Sequence, residues 1–130
     1  MNKIITTVAM TMIVSLGFAQ QKQDSNSDFI GKTFDYTIEN FHLNLQILSD
    51  HQAKWTYVSA PDNQVGKTET ENVNISKISK GIYQIYWTEK DGSNVVDIFN
   101  LKTNKVFVNF TLPDSKMYNY QTSFKIIQKK

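Results

Sequence analysis

The sequence predicts an all-β domain, an eight-stranded antiparallel up-and-down barrel, on three observations. From Gly31 onward the pattern has period two, with β-branched and aromatic residues on alternate positions and turn formers about every dozen residues. Eight such segments share about 111 residues once an apolar leader is set aside, roughly 14 for each strand and its connection, which is hairpin spacing without room for crossover helices. Eight strands can form a sandwich or close on themselves; closure removes the exposed edges and leaves an interior wide enough for side chains or one small ligand.

Each element follows from its own pattern. Residues 32–39 put Phe34, Tyr36 and Ile38 on one face and Thr33, Asp35 and Thr37 on the other; residues 41–48 set Phe41, Leu43, Leu45 and Ile47 against His42, Asn44 and Gln46. Residues 53–60 carry Trp55 and Tyr57 and end at Pro61-Asp62-Asn63, a turn by proline and Asx chemistry. Residues 70–78 form the fourth strand, stopped by Ser79-Lys80-Gly81. The fifth, residues 82–90, is the most apolar, and Asp91-Gly92 after it signals a hairpin. Residues 94–100, 105–112 and 118–127 complete the set, joined by Lys102-Thr103-Asn104 and Pro113-Asp114-Ser115.

Ahead of this domain, Met1-Asn2-Lys3 is followed by an uncharged apolar run to Phe18, with Gly17 and Ala19 placed for a peptidase. This is the grammar of a secretory signal, and the run is shorter than the roughly 20 residues of a spanning helix. The expected division is therefore a signal peptide at 1–19, a polar linker at 20–28 and the barrel at 29–130. Export to the periplasm or the extracellular space follows, with no stable membrane span after the signal is removed.

Composition narrows the chemistry. All 14 cations are lysines against 12 acidic residues, a net charge of +2, so the concentrated basic face of a nucleic-acid binder is not expected. With no cysteine there are no disulfides, thiol nucleophiles or thiolate metal sites. His42 and His51 lie nine residues apart on different elements with no acidic cluster beside them in the sequence, and read as surface histidines; no metal and no cofactor is expected. No G-x-S-x-G sequence exists.

The residues that stand out lie on the fifth strand, where Tyr83, Ile85, Trp87 and Glu89 share a face by parity. Glu89 is either a solvated strand end before Lys90-Asp91-Gly92, or a carboxyl in a cavity where desolvation raises its pKa and suits it to acid/base work.

Val73-Asn74-Ile75, Lys77, Gly81, Tyr83, Trp87-Thr88-Glu89 and Gly92, with Phe29-Ile30-Gly31, Tyr36 and Glu39-Asn40 nearer the start, resemble the bacterial phenolic acid decarboxylases and the related MoaF-like (molybdenum cofactor biosynthesis protein F-like) proteins, which are lipocalin-type barrels of the calycin group. The resemblance implies the closed barrel and an inward Glu89. In the decarboxylases two tyrosines two residues apart hold the substrate carboxylate, while an arginine and the glutamate of the Trp-Thr-Glu segment move protons. Here the first tyrosine matches Tyr36 and the glutamate Glu89, but the second tyrosine falls on Ile38 and the arginine on Gly66 or Lys67. A lysine supplies charge without the planar fork. Loss of one orienting donor costs on the order of 10² to 10³ in rate.

The expectation is therefore a non-enzymatic barrel binding a small amphipathic, phenolic or aromatic molecule through Tyr36, Trp55, Lys67, Tyr83, Trp87 and Glu89. The alternative is a carbon–carbon lyase with Glu89 as the catalytic proton-transfer group.

Overall fold

A computed structural model describes residues 26–128 of the chain; the expected signal peptide and most of the linker lie outside the described residues. The described residues form nine strands and no helix: β1 (Thr33–Ile38), β2 (Phe41–Ile47), β3 (Gln52–Ser59), β4 (Thr68–Asn72), β5 (Asn74–Ser79), β6 (Ile82–Thr88), β7 (Asn94–Asn100), β8 (Lys105–Thr111) and β9 (Met117–Ile127). All pairings are antiparallel and run in the order β4-β3-β2-β1-β9-β8-β7-β6-β5. This is the all-β antiparallel barrel the periodicity predicts, nearly closed.

The strand count is nine because the segment expected as one strand over 70–78 is divided at Val73. Its first part pairs with β3, Ala53 opposite Glu71, and its second with β6, Ile75 opposite Ile85. Val73 itself is buried, and its N–H donates to the carbonyl of His51 at 2.8 Å instead of joining a ladder. The two ends of the strand order are thus consecutive in the chain, and one bent segment joins them.

On the opposite side β9 does the same in a single strand. Residues 117–123 pair with β8, and residues 124–127 pair with β1, Tyr36 opposite Phe124. Strands that change partners along their length turn the corners of a barrel.

The interior has two halves. At one end Phe29, Phe34, Tyr83, Phe99 and Phe124 form a ring cluster: Phe29 stacks on Tyr83 at 4.8 Å between centroids, and Phe34 meets Phe99 at 4.5 Å. Leu45, Ile47, Ile85 and Val106, each at most 1 % exposed, fill the space between these rings and the strands. Apolar burial on this scale is the main stabilising term of so small a domain. The other end is not filled, and there the inward face opens into a cavity.

Candidate functional site

The cavity has a volume of about 490 Å³. Tyr36 from β1 and Asp97 from β7 lie deepest, next to the ring cluster, with Tyr36 and Phe99 edge to face at 5.9 Å. Leu43, Trp55 and Tyr57 line one side and Val108, Phe110 and Tyr120 the other, while Glu39 and Glu89 come from the turns after β1 and β6. A space of this size, mostly apolar and carrying a few convergent polar groups, has the form of a small-molecule site.

Local sequence explains how Glu89 reaches it. The Asp91-Gly92 signal makes a tight turn: the Glu89 N–H donates to the Ser93 carbonyl at 2.7 Å, and the Ser93 N–H to Asp91 Oδ1 at 2.8 Å. Gly92 has φ of 91°, in the left-handed region that glycine enters without a Cβ clash. The turn fixes Glu89 at the end of the inward face of β6, half-buried rather than fully solvated.

Asp97 is the most deeply buried carboxyl, 1 % exposed. The Tyr36 hydroxyl donates to its Oδ2 at 3.2 Å, and its Oδ1 is buried without a partner. Burial pushes Asp97 up to about 8, with the nearby Glu89 charge adding to the rise and the Tyr36 hydrogen bond opposing it. Tyr36 rises well above the ordinary phenol range, by burial first and then by Asp97. Tyr57 is raised too, by burial and then by Glu89 and Glu69.

A second acidic group lies beside the cavity, in the space between β4 and β6. Glu69 and Glu71 of β4 and Glu89 each place one carboxylate oxygen within 4.8 Å of the others. Glu71 is pushed up to about 7, chiefly by burial and then by its neighbours Glu69 and Glu89. Glu89 is raised by burial, while Trp87 and Glu71 hold it down in part. The indole N–H groups of Trp55 and Trp87 lie near these acids without reaching hydrogen-bond geometry. The trio offers the oxygen-only ligand set of a hard cation or, equally, carboxyls that share protons. The sequence reading, which sought histidine and cysteine spacings, contained no such set.

Of the residues singled out from sequence, Tyr36, Trp55 and Glu89 meet at this cavity. Three do not line it. Tyr83 is fully buried in the ring cluster at the filled end, stacked on Phe29. Trp87 is buried in the wall near the carboxylates. Lys67 is exposed on the β3–β4 connection, its Nζ 5.7 Å from the Trp55 ring centroid. Ile38, which stands where the decarboxylases have their second tyrosine, does line the cavity. His51 is exposed, and His42 lies 2.8 Å from Asp35 on the outer face of β1 and β2.

Sequence reasoning missed Asp97, Tyr57, Glu69 and Glu71. The available signal for Asp97 was one acid inside Val95-Val96-Asp97-Ile98-Phe99, a run with no other charge.

Comparison with known proteins gives the same architecture. A crystal structure of a "putative beta-lactamase" from Burkholderia vietnamiensis superposes with a TM-score of 0.68 at 20 % identity, covering 76 % of this chain and 95 % of that one. At that identity the likeness concerns the fold alone. No curated protein matches the chain. The sequence model of the MoaF-like family matches residues 30–125, which span every strand up to the C-terminal part of β9. By that match, and by the barrel that carries it, the chain belongs to the MoaF-like family.

Proposed function

We propose that the protein is an exported, non-enzymatic binding barrel that takes one small amphipathic or aromatic molecule into its cavity, with Tyr36 and Glu89 as polar contacts and Trp55 as an apolar wall. The observation that carries this reading is the convergence of Tyr36, Trp55 and Glu89, from three separate elements, on one cavity of about 490 Å³. A filled interior would have stabilised the barrel further, so an unfilled aromatic half is space kept at a cost in burial.

The test uses Nile red, a neutral lipophilic dye whose emission rises out of water. The expected result is a rise that saturates at one dye per chain and is lost in Val108→Trp, a substitution that fills the cavity opposite Asp97, with the β-sheet circular dichroism unchanged. No rise in the wild type, or a rise undiminished in Val108→Trp, overturns the reading. Export is tested by the mass of the chain recovered outside the cytoplasm, expected to begin at Gln20.

The lyase alternative has one observation in its favour, a cavity-lining Glu89 whose carboxyl is raised by burial. Against it, Ile38 offers no hydrogen bond, Lys67 lies outside the lining, and the Tyr36 hydroxyl gives its hydrogen to Asp97, which leaves its oxygen free to accept from a ligand but no donor for a carboxylate. Carbon dioxide release from hydroxycinnamates, abolished in Glu89→Gln, would establish it; the expected result is no turnover.

A further inference from the structure

The cavity is chemically one-sided. Its carboxyl-bearing lining residues are Glu39, Glu89 and Asp97, and among the described residues the lining contains no lysine, arginine or histidine. A carboxyl 1 % exposed is costly to keep, and Asp97 has only one oxygen partnered, by Tyr36, while Oδ1 is buried and unsatisfied. Around these acids stand Trp55, Tyr57, Phe110 and Tyr120. Aromatic faces attract cations, most strongly where water is excluded. A carboxylate ligand would find no counter-charge on this lining.

We propose that the ligand is a small organic cation, an aromatic or amphipathic amine or quaternary ammonium, caged by the rings with Asp97 and Glu89 as its counter-charges. This rests on the reading of the cavity as a ligand site and reverses the charge that the decarboxylase resemblance would suggest, since phenolic acids are anions. An amine then gives the orphan Asp97 oxygen an N–H partner and a quaternary ammonium gives it a counter-charge, and the excess of acid on the lining is the recognition element.

A proton follows from this pairing. Burial holds Asp97 largely protonated near neutrality, and an arriving cation favours the ionised form, so binding expels a proton and tightens as pH rises toward about 8. The groups facing Asp97 do not reverse that sign. Tyr36 on β1, Tyr57 on β3 and Tyr120 on β9 are raised and stay neutral, β8 contributes only Val108 and Phe110, Glu39 in the β1–β2 turn and Tyr118 on β9 line the same cavity and bring no cation, and Glu89 from the β6–β7 turn is itself a raised acid.

Calorimetry with phenethylamine, phenethyl alcohol and hydrocinnamate, which share a phenyl group and differ in charge, tests the proposal beside the Nile red titration. The amine is expected to bind at least about tenfold tighter than the alcohol, and hydrocinnamate weakest. Benzyltrimethylammonium, whose own charge does not titrate, is expected to bind with proton release and more tightly at higher pH. Asp97→Asn, which keeps an acceptor for Tyr36, should bring amine and alcohol within about twofold and flatten the pH dependence. Glu89→Gln, nearer solvent, should narrow the same preference even if the Asn variant fails to fold. If the alcohol or hydrocinnamate binds as tightly as the amine while Nile red still binds, charge selection is overturned and the binding barrel stands. If neither Nile red nor any of the three binds, both are overturned. An amine preference unchanged in both variants also overturns the proposal.

Discussion

At Asp97 the energetics of a single residue are set by burial. Its carboxyl moves from 3.8 to about 8 on folding, so the folded state holds a proton that the unfolded chain has released across that interval. Stability bound up with this group is fully present below about pH 4 and is lost as pH rises through about 8. Urea unfolding of the wild type should therefore weaken across this window, by an amount on the order of a few kcal/mol. In Asp97→Asn the decline should be much shallower, with what remains reflecting Glu71, which shifts in the same sense to about 7, and Glu89, which burial also raises. A wild-type profile as flat as that of the variant would show that Asp97 is not held protonated.

The residue scale also marks the limit of what the sequence discloses. Tyr36 and Glu89 were legible because parity and the Trp-Thr-Glu resemblance agreed on an inward face. Asp97 was hidden because Val96 and Ile98 are as apolar as Val95 and Phe99, leaving the inner and outer faces of β7 alike in pattern. Tyr83 and Trp87 share the parity of Glu89, but parity gives a face and not a depth. One residue of that face reaches the cavity, whereas Tyr83 reaches the ring cluster at the filled end.

Among the elements, the clearly alternating segments and the turns with proline, glycine or Asx residues were legible to within a residue or two. The division at Val73 was not, since Thr70-Glu71-Asn72-Val73-Asn74-Ile75 contains no glycine or proline to mark it. The break is decided by tertiary structure: the segment must leave β3 and join β6, and Val73 fills the corner with its side chain while its N–H goes to His51. Val73→Ala, which removes buried methyl groups from that corner, should cost about 2 kcal/mol in urea unfolding. A cost near zero would mean that the corner is held by backbone pairing alone.

For the whole molecule, separation of a filled end from an open one predicts that stability and binding can be varied apart. Phe29, fully buried and in ring contact with Phe34, Tyr83 and Phe99, belongs to the filled end and does not line the cavity. Phe29→Ala should cost about 3–5 kcal/mol in unfolding free energy. The Nile red affinity of the folded fraction should change by no more than about twofold, and a larger loss would show that the two halves are coupled.

The pairing of β1 with β9 has a consequence for synthesis. Tyr36 must find Phe124, and until the final strand has emerged the first has a partner on one flank only. The other pairings join strands consecutive in the chain and can form as it emerges, but this one closes a span of nearly the whole domain at an entropic penalty, so the ring is completed only when the last strand arrives. Nascent chains stalled before residue 124 should therefore present β1 as an open, protease-sensitive ribbon, and resistance should arrive in one step once the seam zips.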